Sequence, residues 1–201
     1  RTLKNRFGST GEVGVMIMTE KGLADMQVED NLFAGRGNSG VGTAAGVVLE
    51  GNRPLIVQVQ ALTNKTIFPY PKRIAEGVSI SRLQLICAIL DKFAGTDLGS
   101  YDVYLRTAGG FKLVDVQTDL AIAAAVISSY KNIPIEEGLL FVGEIGLNGR
   151  VMLSKLAGSK LKNVSKLGVN SIVMPHKTVE GGKLPITQVE HLNSLNKALH
   201  N

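Results

Sequence analysis

The sequence predicts an α/β (α+β) two-layer sandwich. Short β-branched runs meet in pairs across turn-forming dipeptides, Gly51-Asn52, Gly109-Gly110 and Asn148-Gly149. Two segments carry apolar residues at helical spacing, and these single helices alternate with the hairpins along the chain. No internal repeat is present.

With 201 residues, 44% of them hydrophobic and 19% charged, the chain has room for one ample core, or for one domain and part of another. That balance is ordinary for a globular protein and argues against disorder. Lys and Arg number 22 against 17 Asp and Glu, an excess that mildly favours a polyanionic partner and decides little alone. The longest apolar run, Leu120 to Ile127, falls far short of the roughly 20 residues of a membrane span, so no membrane partner is expected. Cys87 is the only cysteine, which rules out an internal disulfide or a cysteine-built metal site. With no signal-peptide pattern, a reducing cytoplasm is the expected location. The sequence starts on Arg1-Thr2-Leu3 without Met and reads as a piece of a longer protein.

Glu12 to Met18 and Leu23 to Val28 read as strands around Lys21-Gly22, and residues 30–42 shift to Gly, Asn and Ser as a linker. Gly35-Arg36-Gly37-Asn38-Ser39-Gly40 matches G-x-G-x-x-G formally, but β-branched Val47-Val48 follows it, so a phosphate would find no helix N-terminus. Thr43 to Glu50 and Arg53 to Thr63 pair around Gly51-Asn52, and a Pro-rich loop then runs through Pro69 and Pro71 to Lys72-Arg73. Ser79 or Ser81 caps a helix with Leu83, Ile86, Cys87, Leu90 and Phe93 on one face and Gly95 at its end, which makes Cys87 a core residue. Tyr101 to Thr107 and Phe111 to Val116 are expected to pair around Gly109-Gly110.

Asp119 is placed to cap a second helix that buries Leu120, Ala123, Ala124 and Ile127 on one face. Leu139 to Gly146 reads as a strand entering the Asn148-Gly149 hairpin. Leu161, Val164 and Leu167 then recur at helical spacing, with Gly168 as left-handed cap. Val169 to Met174 reads as a buried strand closed by Pro175, and Ile186 to Leu199 as a closing helix.

His176, His191 and His200 are too scattered for a metal site or a Ser/His pair, and no Walker A motif is present. No cofactor is therefore expected on this chain itself. Two stretches carry a family resemblance. Lys4-Asn5-Arg6-Phe7-Gly8 resembles the five-residue motif of the bacterial RadA (Sms) family, near the end of its RecA-like ATPase domain. Gly143-Glu144-Ile145-Gly146-Leu147-Asn148-Gly149-Arg150-Val151, with the spacing through Pro175, is similar to the stretch that leads to the catalytic lysine of Lon proteases. The resemblance implies three parts: residues 1–29 as the end of the ATPase domain, 30–42 as linker, and 43–201 as a Lon-protease-like domain. The implied fold of that domain is the ribosomal protein S5 domain 2-like one.

The Lon dyad is missing at the matching positions. Gln117-Thr118-Asp119-Leu120-Ala121 puts Asp119 where Lon has its serine, and Lys155-Leu156-Ala157-Gly158 puts Gly158 where Lon has its lysine. A capping carboxylate is a poor nucleophile and a glycine offers no base, so peptidase activity is not expected of this chain. Ser154 and Lys155 would form a relocated dyad in an alternative, peptidase reading; an oligomerisation module without DNA contact is a third. On an α-helical projection Lys155, Lys162 and Lys166 share a face, and Lys72-Arg73 forms a second basic pair. Each is a solvated surface in the plain reading and a DNA-binding candidate in the one the family implies. The family further implies a parent that is an ATP-driven motor for branch migration of recombination intermediates. That parent would carry ATP, Mg and Zn, form a hexameric ring, bind single-stranded or branched DNA, and work with the recombinase RecA.

Overall fold

A computed structural model describes residues 16–19, 22–25, 40–50, 53–154, 161–176 and 184–199. In chain order the strands and helices are β1 (Met16–Thr19), β2 (Gly22–Asp25), β3 (Gly40–Val41), β4 (Thr43–Glu50), β5 (Arg53–Lys65), β6 (Arg73–Glu76), α1 (Ile80–Phe93) and β7 (Tyr101–Thr107). They continue with α2 (Asp119–Lys131), β8 (Pro134–Ile135), β9 (Leu139–Phe141), β10 (Glu144–Ile145), β11 (Val151–Met152), β12 (Ser171–Met174), β13 (Ile186–Gln188) and α3 (Leu195–Ala198). The architecture is mixed α/β, as the sequence predicts.

Seven strands form one sheet in the order β13-β12-β9-β4-β5-β7-β6. β4, β5 and β7 pair antiparallel, while β6 runs parallel to β7 because α1 carries the chain across between them. β9, β12 and β13 add a parallel half. Side chains alternate between the faces at period two. Val57, Val59, Phe141 and Val173 join α1, α2 and α3 in one core, and Val47, Ile56, Leu140, Ile172 and Met174 face Leu161 and Val164 in the other. Among the described residues this second core lies on β4, β5, β9 and β12.

α1 begins as the sequence predicts, with Ser79 accepting from the Arg82 N–H at 3.3 Å, and Gly95 beyond its end takes a φ of +68°. Met16–Thr19 and Gly22–Asp25 pair antiparallel, overlapping the strands expected there and each extending one residue into the expected turn. The Asn148-Gly149 turn also forms, but as a three-residue loop. The Gly146 N–H donates to Arg150 O at 2.9 Å, the Gly149 N–H donates to Gly146 O, and only Gly149 has positive φ.

Five expectations are corrected. Phe111–Val116 is not a strand: both edges of β7 are already taken by β5 and β6, and Leu113 instead drops into the core with its N–H on Gly77 O at 2.7 Å. Ile186 to Leu199 is not one helix. Ile186–Gln188 pairs with the free edge of β12, and only a 3₁₀ turn at Leu192–Ser194 and the short α3 follow. Leu139 to Gly146 breaks after Phe141, so β9 stays in the sheet while β10 leaves it to pair with β11. α2 is buried from Asp119 through Ser128 on every side, not on one face. Its N-cap position is Thr118; Asp119 is already helical. β6 itself goes unrecognised in the sequence, hidden behind Pro71 and only four residues long.

Leu161–Leu167 winds as a 3₁₀ helix, which suits apolar residues spaced by threes. Among the described residues no helix is long and apolar enough to cross a membrane.

Candidate functional site

The two stretches singled out by sequence meet at the start of α2. The Gly143 N–H donates to Gln117 O at 2.8 Å and the Leu120 N–H to Gly143 O at 3.0 Å. Gly143 has no room for a side chain, since a Cβ would lie 2.5 Å from Val151 Cγ1. This junction positions Asp119, one of whose oxygens accepts the Ile145 N–H at 3.3 Å.

The other oxygen is held by a residue that sequence reasoning missed. Arg82 Nε donates to Asp119 Oδ1 at 2.6 Å; Nη1 reaches Leu113 O at 2.7 Å; Nη2 reaches Asp115 O at 2.9 Å and Thr118 Oγ1 at 3.0 Å. A signal was available. Arg82 lies in the first turn of α1, where the helix dipole disfavours a cation, so a compensating partner is required. The guanidinium fixes the whole 113–118 loop against the start of α2. Burial raises the Asp119 pKa above the ordinary carboxylate value, against the opposing pull of Arg82. Chemically this is a neutralised, hydrogen-bonded pair with no amine poised to activate a nucleophile.

Ser154 is exposed and its N–H donates to the Gln117 side chain at 3.3 Å. Lys155 and Gly158 lie outside the described residues, as do Lys4, Asn5, Arg6, Phe7 and Gly8. Lys162 and Lys166 fall within the 3₁₀ segment, whose period of three does not bring positions four apart onto one face. The structure therefore does not supply the α-helical premise on which their shared face rested.

Lys72 and Arg73 part ways. Arg73 turns its guanidinium inward, donating to Tyr101 O and Leu98 O at 2.6 Å and to Lys72 O at 3.0 Å. Lys72 is exposed and sets its Nζ 3.6 Å from the centroid of the Phe68 ring.

His191 is a packing residue: its Nε2 lies 3.0 Å from Asn148 O, its Nδ1 accepts the Asn193 N–H, and its ring meets Phe93 edge-on. His176 is exposed and His200 lies outside the described residues. Among the described residues no group of three or more His, Cys, Asp or Glu is arranged to hold a metal ion.

Proteins named DNA repair protein RadA match along nearly the whole chain. The one from Campylobacter jejuni is 40% identical over 180 residues, 90% of this chain and 40% of its own length. Those from Streptococcus pneumoniae and Bacillus subtilis are 39% and 36% identical, each over 92% of this chain. The chain belongs to the RadA family. It spans about 40% of the length of the RadA proteins it matches. A family model described as subunit ChlI of Mg-chelatase also matches, over residues 105–178. That span runs from the end of β7 to just beyond β12. It therefore contains both halves of the Asp119 junction.

Proposed function

We propose that this chain is a proteolytically inactive, Lon-protease-like part of a RadA-type repair protein, serving it as assembly scaffold and DNA-binding platform. The observation that carries the inactivity is the Arg82–Asp119 pair: the position assigned to a nucleophile holds a carboxylate spent on structure. A scaffold role fits the same geometry, because one guanidinium joins two helices and a loop. In this reading residues 1–29 close a RecA-like ATPase domain and 43–201 form the Lon-like domain. The complete protein is a cytoplasmic hexameric ring that drives branch migration with ATP and Mg, carries a Zn module, and works beside RecA. None of these cofactors is assigned to the present residues, which contain neither a Walker A motif nor a second cysteine.

DNA contact is assigned to cations that the fold leaves exposed. Lys72 qualifies and Arg73, tied to three carbonyls, does not; Lys155, Lys162 and Lys166 enter as candidates from sequence. The test is DNA affinity as a function of salt for the chain, for Lys72→Glu and for the double variant Lys162→Glu with Lys166→Glu. Each lost phosphate contact should weaken binding and reduce the log–log salt slope by about 1. A chain that binds no DNA even at low salt, or that hydrolyses a fluorogenic peptide in a manner abolished by Ser154→Ala, overturns the proposal.

A further inference from the structure

The segment from Lys65 to Arg73 reads Lys-Thr-Ile-Phe-Pro-Tyr-Pro-Lys-Arg, with three basic residues, two aromatic rings and no acid. It joins β5 to the edge strand β6. Large apolar groups at such a tip usually tuck against the sheet, yet Ile67 is 89% exposed and Tyr70 84%. The loop is nevertheless fixed at both ends. The Thr66 N–H donates to Ser100 O at 3.0 Å, the Lys72 N–H to Asp102 Oδ1 at 2.7 Å, and Lys72 O accepts the Val103 N–H at 2.9 Å. Thr66 Oγ1 accepts the Phe68 N–H at 3.1 Å, and Pro69 and Pro71 restrict the backbone on either side of Tyr70. The aromatic display is held open by its anchors.

We infer that this loop is a stacking platform for the unpaired bases of single-stranded nucleic acid, with Tyr70 as the stacking ring and Lys72 as the phosphate contact. The inference deepens the DNA-platform reading and rests on it. A ring stacks on any base, and a neighbouring cation follows the backbone, which is how sequence-tolerant single-strand sites are built. Lys72 covers Phe68, its Nζ 3.6 Å from the ring centroid, and stands two positions from Tyr70 in the chain. Asp102, which accepts the Lys72 N–H at the loop's base, is only 6% exposed, and residues 65–73 themselves carry no acid. A protein-docking patch is the poorer fit, since lysine is depleted from such interfaces and here it lies on the aromatic ring itself. Duplex DNA buries its base faces and offers Tyr70 nothing to stack on.

The test compares fluorescein-labelled oligo(dT) with a duplex of equal length, by anisotropy, on the whole chain. Tyr70→Ala should lower affinity for oligo(dT) about tenfold and leave duplex affinity within about twofold, while Tyr70→Phe retains both. Because the chain has no Trp, Tyr70→Trp supplies a single reporter whose fluorescence should be quenched to saturation by oligo(dT). Equal losses on both DNA forms, or oligo(dT) affinity untouched by Tyr70→Ala, overturn the stacking platform while leaving the broader reading in place. A Tyr70→Ala variant that instead loses self-association in sedimentation, with oligo(dT) binding unchanged, reassigns the loop to a contact between copies and likewise overturns it. Absence of any DNA binding by the unmodified chain removes the underlying reading first.

Discussion

The Arg82 pocket and the Lys65–Arg73 loop are both cationic, and the fold treats them in opposite ways. Arg82 is enclosed, and its planar fork is matched by two carbonyls, a hydroxyl and a carboxylate. Lys72 keeps its ammonium in solvent over an aromatic face. Residue type follows use: a fork suits fixed acceptors on several sides, and a point charge on a flexible stem suits a mobile polyanion. At the position where the Lon resemblance places a nucleophile, the charges have become structural. The exposed charge of Lys72 sits instead in the β5–β6 turn, at the end of β6 away from α1.

The largest effect that can break this comparison is on stability. Arg82→Ala strands a buried carboxylate and leaves the 113–118 loop without its clamp, and should cost about 3–5 kcal/mol, the range for breaking one side of a buried pair. Lys72→Ala should stay within about 0.5 kcal/mol, as for an exposed side chain. Urea unfolding followed by circular dichroism measures both. Similar midpoints for the two variants would mean that Arg82 is not the clamp described.

A smaller effect separates the two carboxylates associated with these regions. Asp119 has its pKa raised, first by burial, so the folded state holds that proton more tightly than the unfolded chain does. Its contribution to stability is therefore greatest at and below the ordinary carboxylate pKa and falls as pH rises through the raised value. Asp102 has its pKa lowered, first by the Lys72 N–H. Its contribution is present above the ordinary value and is lost as pH falls through the lowered one. Between pH 3 and 6, Asp119→Asn should thus make stability rise more steeply with pH, and Asp102→Asn should make it rise less steeply. Urea titrations across that range check the signs, and two slopes changing in the same direction would contradict the assignment.

Much of this molecule is legible in the sequence where local chemistry decides the outcome. Ser79, Gly95 and Gly168 act locally, and the elements they bound lie within a few residues of where the sequence puts them. The failures occur where a distant partner decides. Phe111–Val116 has strand composition but no open edge to join, whereas Ile186–Gln188 has helical spacing around it and finds an open edge on β12. Edge availability is a property of the assembled sheet and leaves no mark on a nearby window of residues. The site divides in the same way. Asp119 and the Gly143–Val151 stretch are readable because each is a local motif. Arg82 reaches Asp119 across 37 positions and is betrayed only by an unfavourable place in its own helix. Lys72 and Arg73 look equivalent as neighbours, and only the carbonyls of Leu98 and Tyr101 tell them apart.

The smallest expected effect concerns that last distinction. Cys87 lies beneath the Arg73 side of the loop, 3% exposed, and burial pushes its thiol pKa up to about 11 against the opposing charge of Arg73. At neutral pH the thiolate is then about one part in ten thousand, and both access and nucleophile are lacking. Native protein should react with a disulfide reagent only as fast as it unfolds, while urea-denatured protein reacts at once. The reading of Arg73 as an internal anchor adds a sharper requirement. If Lys72 alone meets phosphate, saturating oligo(dT) leaves the slow labelling of Cys87 unchanged or slower, because Arg73 stays on its carbonyls and bound ligand only stabilises the fold. Labelling accelerated by oligo(dT) would mean that Arg73 leaves its anchors to join the DNA, and the division between a structural arginine and a binding lysine would fail at the one place where the two are adjacent.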